Sequence, residues 1–275
     1  MRRSARASSA WGAVVLLMVL AFGCGESTTE PAGPGSPPAL PPLASMEADL
    51  SFFDGAQESS SDGPTAVPGP HFLTSAVAVT VARAATSLVM AVPVATFAAA
   101  VTTEPVFQNS AFHWVYSIQH EGASFQADLS GRLAGGDGVW EMRITTTGTA
   151  PALTDFRWYT GRSAGNGSEG EWHVFDATQP SSAIEVLQID WAHPTPTSWN
   201  LVFTNVNPSG GQTDDRLEYE VAGDLRIVRY IDASASTTAI IQWDASTGEG
   251  FVESPGYNGG QRGCWNALFE DTPCV

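Results

Sequence analysis

Residues 74–100 read TSAVAVTVARAATSLVMAVPVATFAAA and hold a single charge, Arg83. Almost every other position is Ala, Val, Leu, Met, Thr or Ser. A helix without a polar side has no face to offer water, so a helical reading predicts a buried segment. It should bend at Pro93, whose ring removes a backbone donor. Two other readings stay open for these residues. A run of roughly 18 or more apolar residues suffices to span a bilayer, although Arg83 and Pro93 both interrupt this one. VAVTV and VPVATF are also rich enough in Val to be strands.

Downstream the pattern changes to a period of two. FHWVYSIQ (112–119), SFQADLSGRL (124–133) and VWEMRIT (139–145) alternate between apolar and polar residues, with Gly- or Asp-rich separators. That alternation marks antiparallel strands with one covered face. It continues through 155–160, 171–176, 183–191, 199–205, 216–221, 225–232, 239–244 and 250–253, for about eleven strands in all. Separators such as AGD and STGEG leave no room for crossover helices, so neighbours in sequence should be neighbours in the sheet. A sheet this wide should curl, and its inner face needs filling. The fold class expected is mainly β: an antiparallel up-and-down meander curled into a barrel or half-barrel, with the apolar, Pro-kinked helix packed in or against it. Trp140, Met142, Ile144, Leu201, Phe203, Ile241 and Trp243 are the candidate core residues.

The N-terminus carries Arg2, Arg3 and Arg6, then an apolar stretch from Trp11 to Phe22, then Ala21-Phe22-Gly23-Cys24. This order is that of a secretory signal ending in a small-residue cleavage site. It resembles the lipobox of bacterial lipoproteins, differing in having Ala21 where Leu is common and Phe22 where a small residue is common. The resemblance covers residues 1–24. It implies cleavage before Cys24, acylation of that residue, and attachment of the chain to the bacterial envelope. Gly25 after it favours the outer membrane. Two or three acyl chains anchor stably where one is marginal. The expected organisation is a signal peptide (1–23), a lipidated Cys24 with a Pro/Gly/Ser-rich tether (24–70), and one β-rich domain (71–275). Within that domain we expect the helix over 71–102, the meander over 111–254 and a C-terminal latch over 255–275.

With Cys24 acylated, Cys264 and Cys274 remain, ten positions apart, in a compartment where disulfides persist. A disulfide-closed loop holding Trp265, Leu268 and Phe269 is the expected result. The formal charge of −17 argues against a nucleic-acid partner. The five histidines show no metal-ligand spacing, and no nucleophile elbow, Walker loop or dinucleotide fingerprint is present. No catalytic residue, metal ligand or cofactor is therefore assigned, and the chain reads as a non-enzyme. Arg83, alone in its apolar run, needs a carboxylate of the sheet as partner or a route to the surface along its own stem. It is also the candidate contact for the anionic head of a lipid held between helix and sheet. In outline the arrangement is similar to Lol-type lipoprotein carriers and lipocalins, an analogy of architecture only. Three functions follow: a carrier of an apolar ligand, a structural or surface-interaction lipoprotein with a filled core, or a protein that binds or hydrolyses envelope glycan.

Overall fold

The computed structural model describes residues 35–56, 68–120 and 122–274. Residues 1–34, which include the stretch read as a signal peptide and Cys24, and residues 57–67 of the expected tether lie outside the described residues. One long helix, α1 (Pro70–Val101), precedes fourteen strands. The first four are β1 (Val106–Gln108), β2 (Ala111–His120), β3 (Ala123–Ala134) and β4 (Asp137–Thr147). Next come β5 (Phe156–Ser163), β6 (Glu169–Phe175), β7 (Glu185–Thr195), β8 (Ser198–Asn205) and β9 (Arg216–Ala222). The last are β10 (Leu225–Asp232), β11 (Thr237–Asp244), β12 (Gly250–Glu253), β13 (Gly263–Trp265) and β14 (Asp271–Thr272). They form one antiparallel sheet whose order follows the chain from β1 to β14. The meander is as expected, but the strand count is 14 rather than about eleven. The first and last strands do not pair, so the sheet is open and not a closed barrel.

The side chains that face α1 form ladders across the sheet. Trp114, Leu129, Met142, Tyr159 and Val174 stand opposite one another on β2 to β6. The adjacent ladder runs Gly131, Trp140, Gly161, Trp172, Ile189, Phe203, Leu217. Here glycine and tryptophan alternate for a steric reason. A Cβ on Gly131 would stand 2.5 Å from Trp140 Cζ3, and one on Gly161 only 2.2 Å from Trp172 Cε3. Gly250 is related to Trp265 in the same way, at 2.3 Å from Cζ2. Each indole therefore lies over bare backbone, where glycine's usual weakness in a strand becomes a fitted seat. The indole donors are also satisfied: Trp140 Nε1 donates to Ser163 Oγ (3.0 Å), Trp172 Nε1 to Ser45 Oγ (3.1 Å) and Trp265 Nε1 to Gly248 O (2.8 Å).

α1 crosses this inner face and touches both ends of the sheet. Pro70 opens it at N1, where the missing donor costs nothing. Asp271 on β14 accepts from the His71 amide at 3.0 Å, placing a carboxylate at the positive end of the helix dipole. Phe72 stacks on Phe269 at 4.3 Å and meets Trp265 at 5.6 Å. Two dozen residues later Phe97 packs edge-on against Trp172 at 5.5 Å, and Tyr116 Oη on β2 donates to the carbonyl of Thr96. From Phe72 to Thr96 the helix is about 36 Å long at 1.5 Å per residue. The strands between β2 and β13 would cover about 53 Å if laid flat at 4.8 Å each. The sheet must bow around the helix for both contacts to be made.

The helix runs continuously from Pro70 to Val101 with Pro93 inside it, and Thr96 Oγ1 donates to the Pro93 carbonyl at 2.8 Å. Two expectations change, one on the burial of this helix and one on the tether. The helix is not buried all round: Val77 and Val81 are 63% and 64% exposed, because the open sheet covers one side only. Among the described residues no helix is long and apolar enough to cross a membrane. The segment read from composition as tether is packed from Pro38 to Phe53, with Met46, Leu50 and Phe53 buried and Ser45 bonded to Trp172. Its Phe52 stacks on Trp243 at 5.4 Å.

The C-terminal latch is present. Cys264 and Cys274 form a disulfide, closing the loop that carries Phe269 against Phe72. Trp265 is buried, whereas Leu268 is exposed and takes no part.

Replacing Gly161 by Val should displace Trp172 and lower stability by about 1–3 kcal/mol, the usual cost of overpacking a filled core. Gly256→Ala, with open space around it, should change little. Urea midpoints of the two variants check this; equal midpoints would show that the glycine seat is not required.

Candidate functional site

Between α1, the packed strap and the middle of the sheet lies a crevice of about 300 Å³. Met90, Ala91, Val94 and Ala95 line it from the helix, Met46, Ala48 and Leu50 from the strap, and Phe203 and Leu217 from β8 and β9. The depth is apolar because helix positions 90 and 94 are one turn apart and point the same way. Phe203 and Leu217 are directly paired across β8 and β9, so they form one continuous floor. Met46 and Met90 both line it, with side chains that adapt to irregular shapes.

The mouth is polar. Arg83, Thr86 and Glu47 line it, and Arg83 is the one cation among the described residues that border the crevice. The Arg83 guanidinium is paired with Asp54, both groups being substantially exposed. The partner therefore comes from the strap rather than from the sheet. Asp49 stands nearby, and hydrogen bonds from the Ser51 hydroxyl (2.6 Å) and amide (3.1 Å) hold its carboxyl below the usual range, with Arg226 and Arg83 adding to the effect. Burial pushes the Tyr219 phenol up to about 12.

Away from the crevice, Trp140, Trp172, Trp243, Trp265, Tyr159, Phe72 and Phe97 are all less than 2% exposed.

The opposite face of the sheet carries the charged and polar residues. His113, Ser130, Glu141, Thr160, His173 and Gln188 stand opposite one another from β2 to β7. Five of them, all but Gln188, border a groove of about 570 Å³ that also takes in Glu171, Arg132 and Arg162. His113 Nδ1 is 2.9 Å from Asp128 and His173 Nδ1 is 2.7 Å from Glu185. Elsewhere His71 Nδ1 meets Tyr257 Oη at 2.6 Å and His193 Nε2 donates to Gly167 O at 2.6 Å. Ser130 Oγ donates to the Glu141 carbonyl at 3.3 Å. Among the described residues no three His, Cys, Asp or Glu side chains are grouped to hold a metal ion.

Of the residues singled out from sequence, Arg83 lines the crevice, Cys264 and Cys274 are joined in the latch, and Cys24 lies outside the described residues. Met46 and Leu50 fall in the stretch read as tether and were not singled out from sequence; the apolar residues of Leu50-Ser51-Phe52-Phe53 are the local signal that this stretch packs. No protein-family model, curated protein or solved structure matches the chain.

Four phenols have raised proton affinity in the fold. Burial raises Tyr116, Tyr159 and Tyr219, while the hydrogen bond to Asp215 pushes Tyr230 up to about 12. An acid whose folded pKa lies above its unfolded value stabilises the fold below the unfolded value and loses that contribution as pH rises. Stability should hold up to pH ~10 and decline above it. Absorbance at 295 nm should show most tyrosines ionising only together with unfolding. Full ionisation by pH ~10.5 with the fold intact would contradict the burial described.

Proposed function

We propose that this protein is a non-catalytic, lipid-anchored component of a bacterial envelope that holds an apolar ligand in the crevice between α1, the strap and β8–β9. The crevice itself carries the reading: Met46, Leu50, Met90, Val94, Phe203 and Leu217 form an apolar recess with one cation at its mouth. Its volume is at the lower end of small-molecule sites, which suits one chain better than a two-chain lipid. The anchor rests on the lipobox resemblance at Cys24, and the half-barrel description on the bowing of the sheet. A carrier needs a recess that opens without unfolding the core. A strap laid over a rigid sheet supplies one, since short irregular segments open at lower cost than paired strands.

A second reading has its own observation. The outer groove gathers His113, Glu141, Glu171 and His173 within one concavity, a set suited to binding the hydroxyl groups of an envelope glycan. Each of the two histidines is already engaged by a carboxylate, so the groove offers hydrogen-bonding rather than a free base.

Native mass spectrometry of the full chain bearing Cys24→Ala tests the first reading. It should carry a co-purifying apolar adduct, which Val94→Trp removes by filling the recess. A clean polypeptide mass after loading with alkyl-chain probes would favour a purely structural role. A wild-type chain with no acyl mass on Cys24 would contradict the anchor.

A further inference from the structure

We infer that the crevice selects a single alkyl chain with an anionic head, and that Asp54 is an internal stand-in for that head, released from Arg83 when ligand binds. The inference rests on the crevice reading and adds the head-group chemistry. Arg83 is the one cation in the lining, placed at the mouth of an otherwise apolar recess. Its guanidinium is held by Asp54, a residue of the strap's short 3-10 turn (Ser51–Ala56), at contact distance.

Both members of this ion pair are open to solvent, with side-chain exposures of 44% and 57%. Exposed pairs contribute little to stability. An incoming anion can therefore replace Asp54 while the fold stays intact. Arginine's planar fork suits carboxylate and phosphate alike. Once displaced, Asp54 needs no buried partner because it already faces water. Phe53, the adjacent residue, remains fixed against Phe72 at 5.7 Å and Trp243 at 5.1 Å. The exchange is confined to the carboxylate and leaves the aromatic anchor of the strap in place.

The local charges set the expected selectivity. Glu47 also borders the mouth, so a carboxylate ligand gains Arg83 at the expense of some repulsion from Glu47. An alkyl ammonium ion would meet the opposite balance. Asp49 is nearby, but its Oδ1 already accepts from both the amide and the hydroxyl of Ser51, whereas Asp54 is the carboxylate in direct contact with Arg83.

The test is calorimetric titration of the full Cys24→Ala chain, and of the same chain with Asp54→Asn or Arg83→Gln. The probes are dodecanoate, dodecyl phosphate, dodecanol and dodecyltrimethylammonium, each below its micelle concentration. Wild type should bind the two anionic probes at least threefold more tightly than dodecanol. Asp54→Asn should tighten both anions about three- to tenfold and leave dodecanol unchanged. Arg83→Gln should abolish the preference and retain dodecanol. The ratio of carboxylate to phosphate affinity tells a fatty acid from a phosphate-headed lipid as the source of the anion. Equal binding of anion and alcohol by wild type, a preference for the ammonium probe, or an Asp54→Asn effect shared by dodecanol would overturn the head-group inference while sparing the crevice. Failure of all four probes to bind would overturn both.

Discussion

The structure depends on one constraint: an apolar helix must be sheltered, and a wide antiparallel sheet must have something to bow around. α1 and the meander meet each other's need. Phe72 is packed among Trp265 and Phe269 near one end of the sheet, and Phe97 against Trp172 toward the other. These contacts hold the sheet curved without pairing its first and last strands. The disulfide reinforces one end by keeping Phe269 in place over Phe72. A bowed, unclosed sheet leaves a gap along the helix, and the strap over 38–54 fills most of it. Where its fill is incomplete, beside Met90 and Val94, the crevice appears.

Much of this was legible in the sequence because strand alternation is a local signal. The runs at 112–119, 124–133 and 139–145 were each found as strands within a few residues of the expected bounds. The strands missed were β1, β13 and β14, of three, three and two residues, too short to show a period. On β7 the pairing with β6 turns Ile189 and Trp191 inward, a register that the apolar residues of 183–191 do not fix by themselves. The pairing of Gly161 with Trp172 depends on cross-strand register, which no local pattern carries.

The less legible parts share a cause. Pro38 to Ser45 is rich in Pro and small residues, a composition that describes a loose tether as well as it describes a strap. What fixes it is a few distant partners, such as the Ser45 hydroxyl that accepts from Trp172, 127 positions away. The uniform apolarity of α1 likewise suggested burial on all sides, whereas Val77 and Val81 face outward. Arg83 was recognised as the odd residue of the run, but its partner Asp54 belongs to the strap and could not be named from spacing.

Amide hydrogen exchange along α1 tests the central claim most directly. If the helix is the element around which the sheet bows, the amides of residues 76–79 and 97–100 should exchange only as slowly as those of β4 and β5, through opening of the whole domain. Exchange of those helix amides many times faster than the strands, with the sheet remaining protected, would show that the meander keeps its form without the helix and would contradict the account.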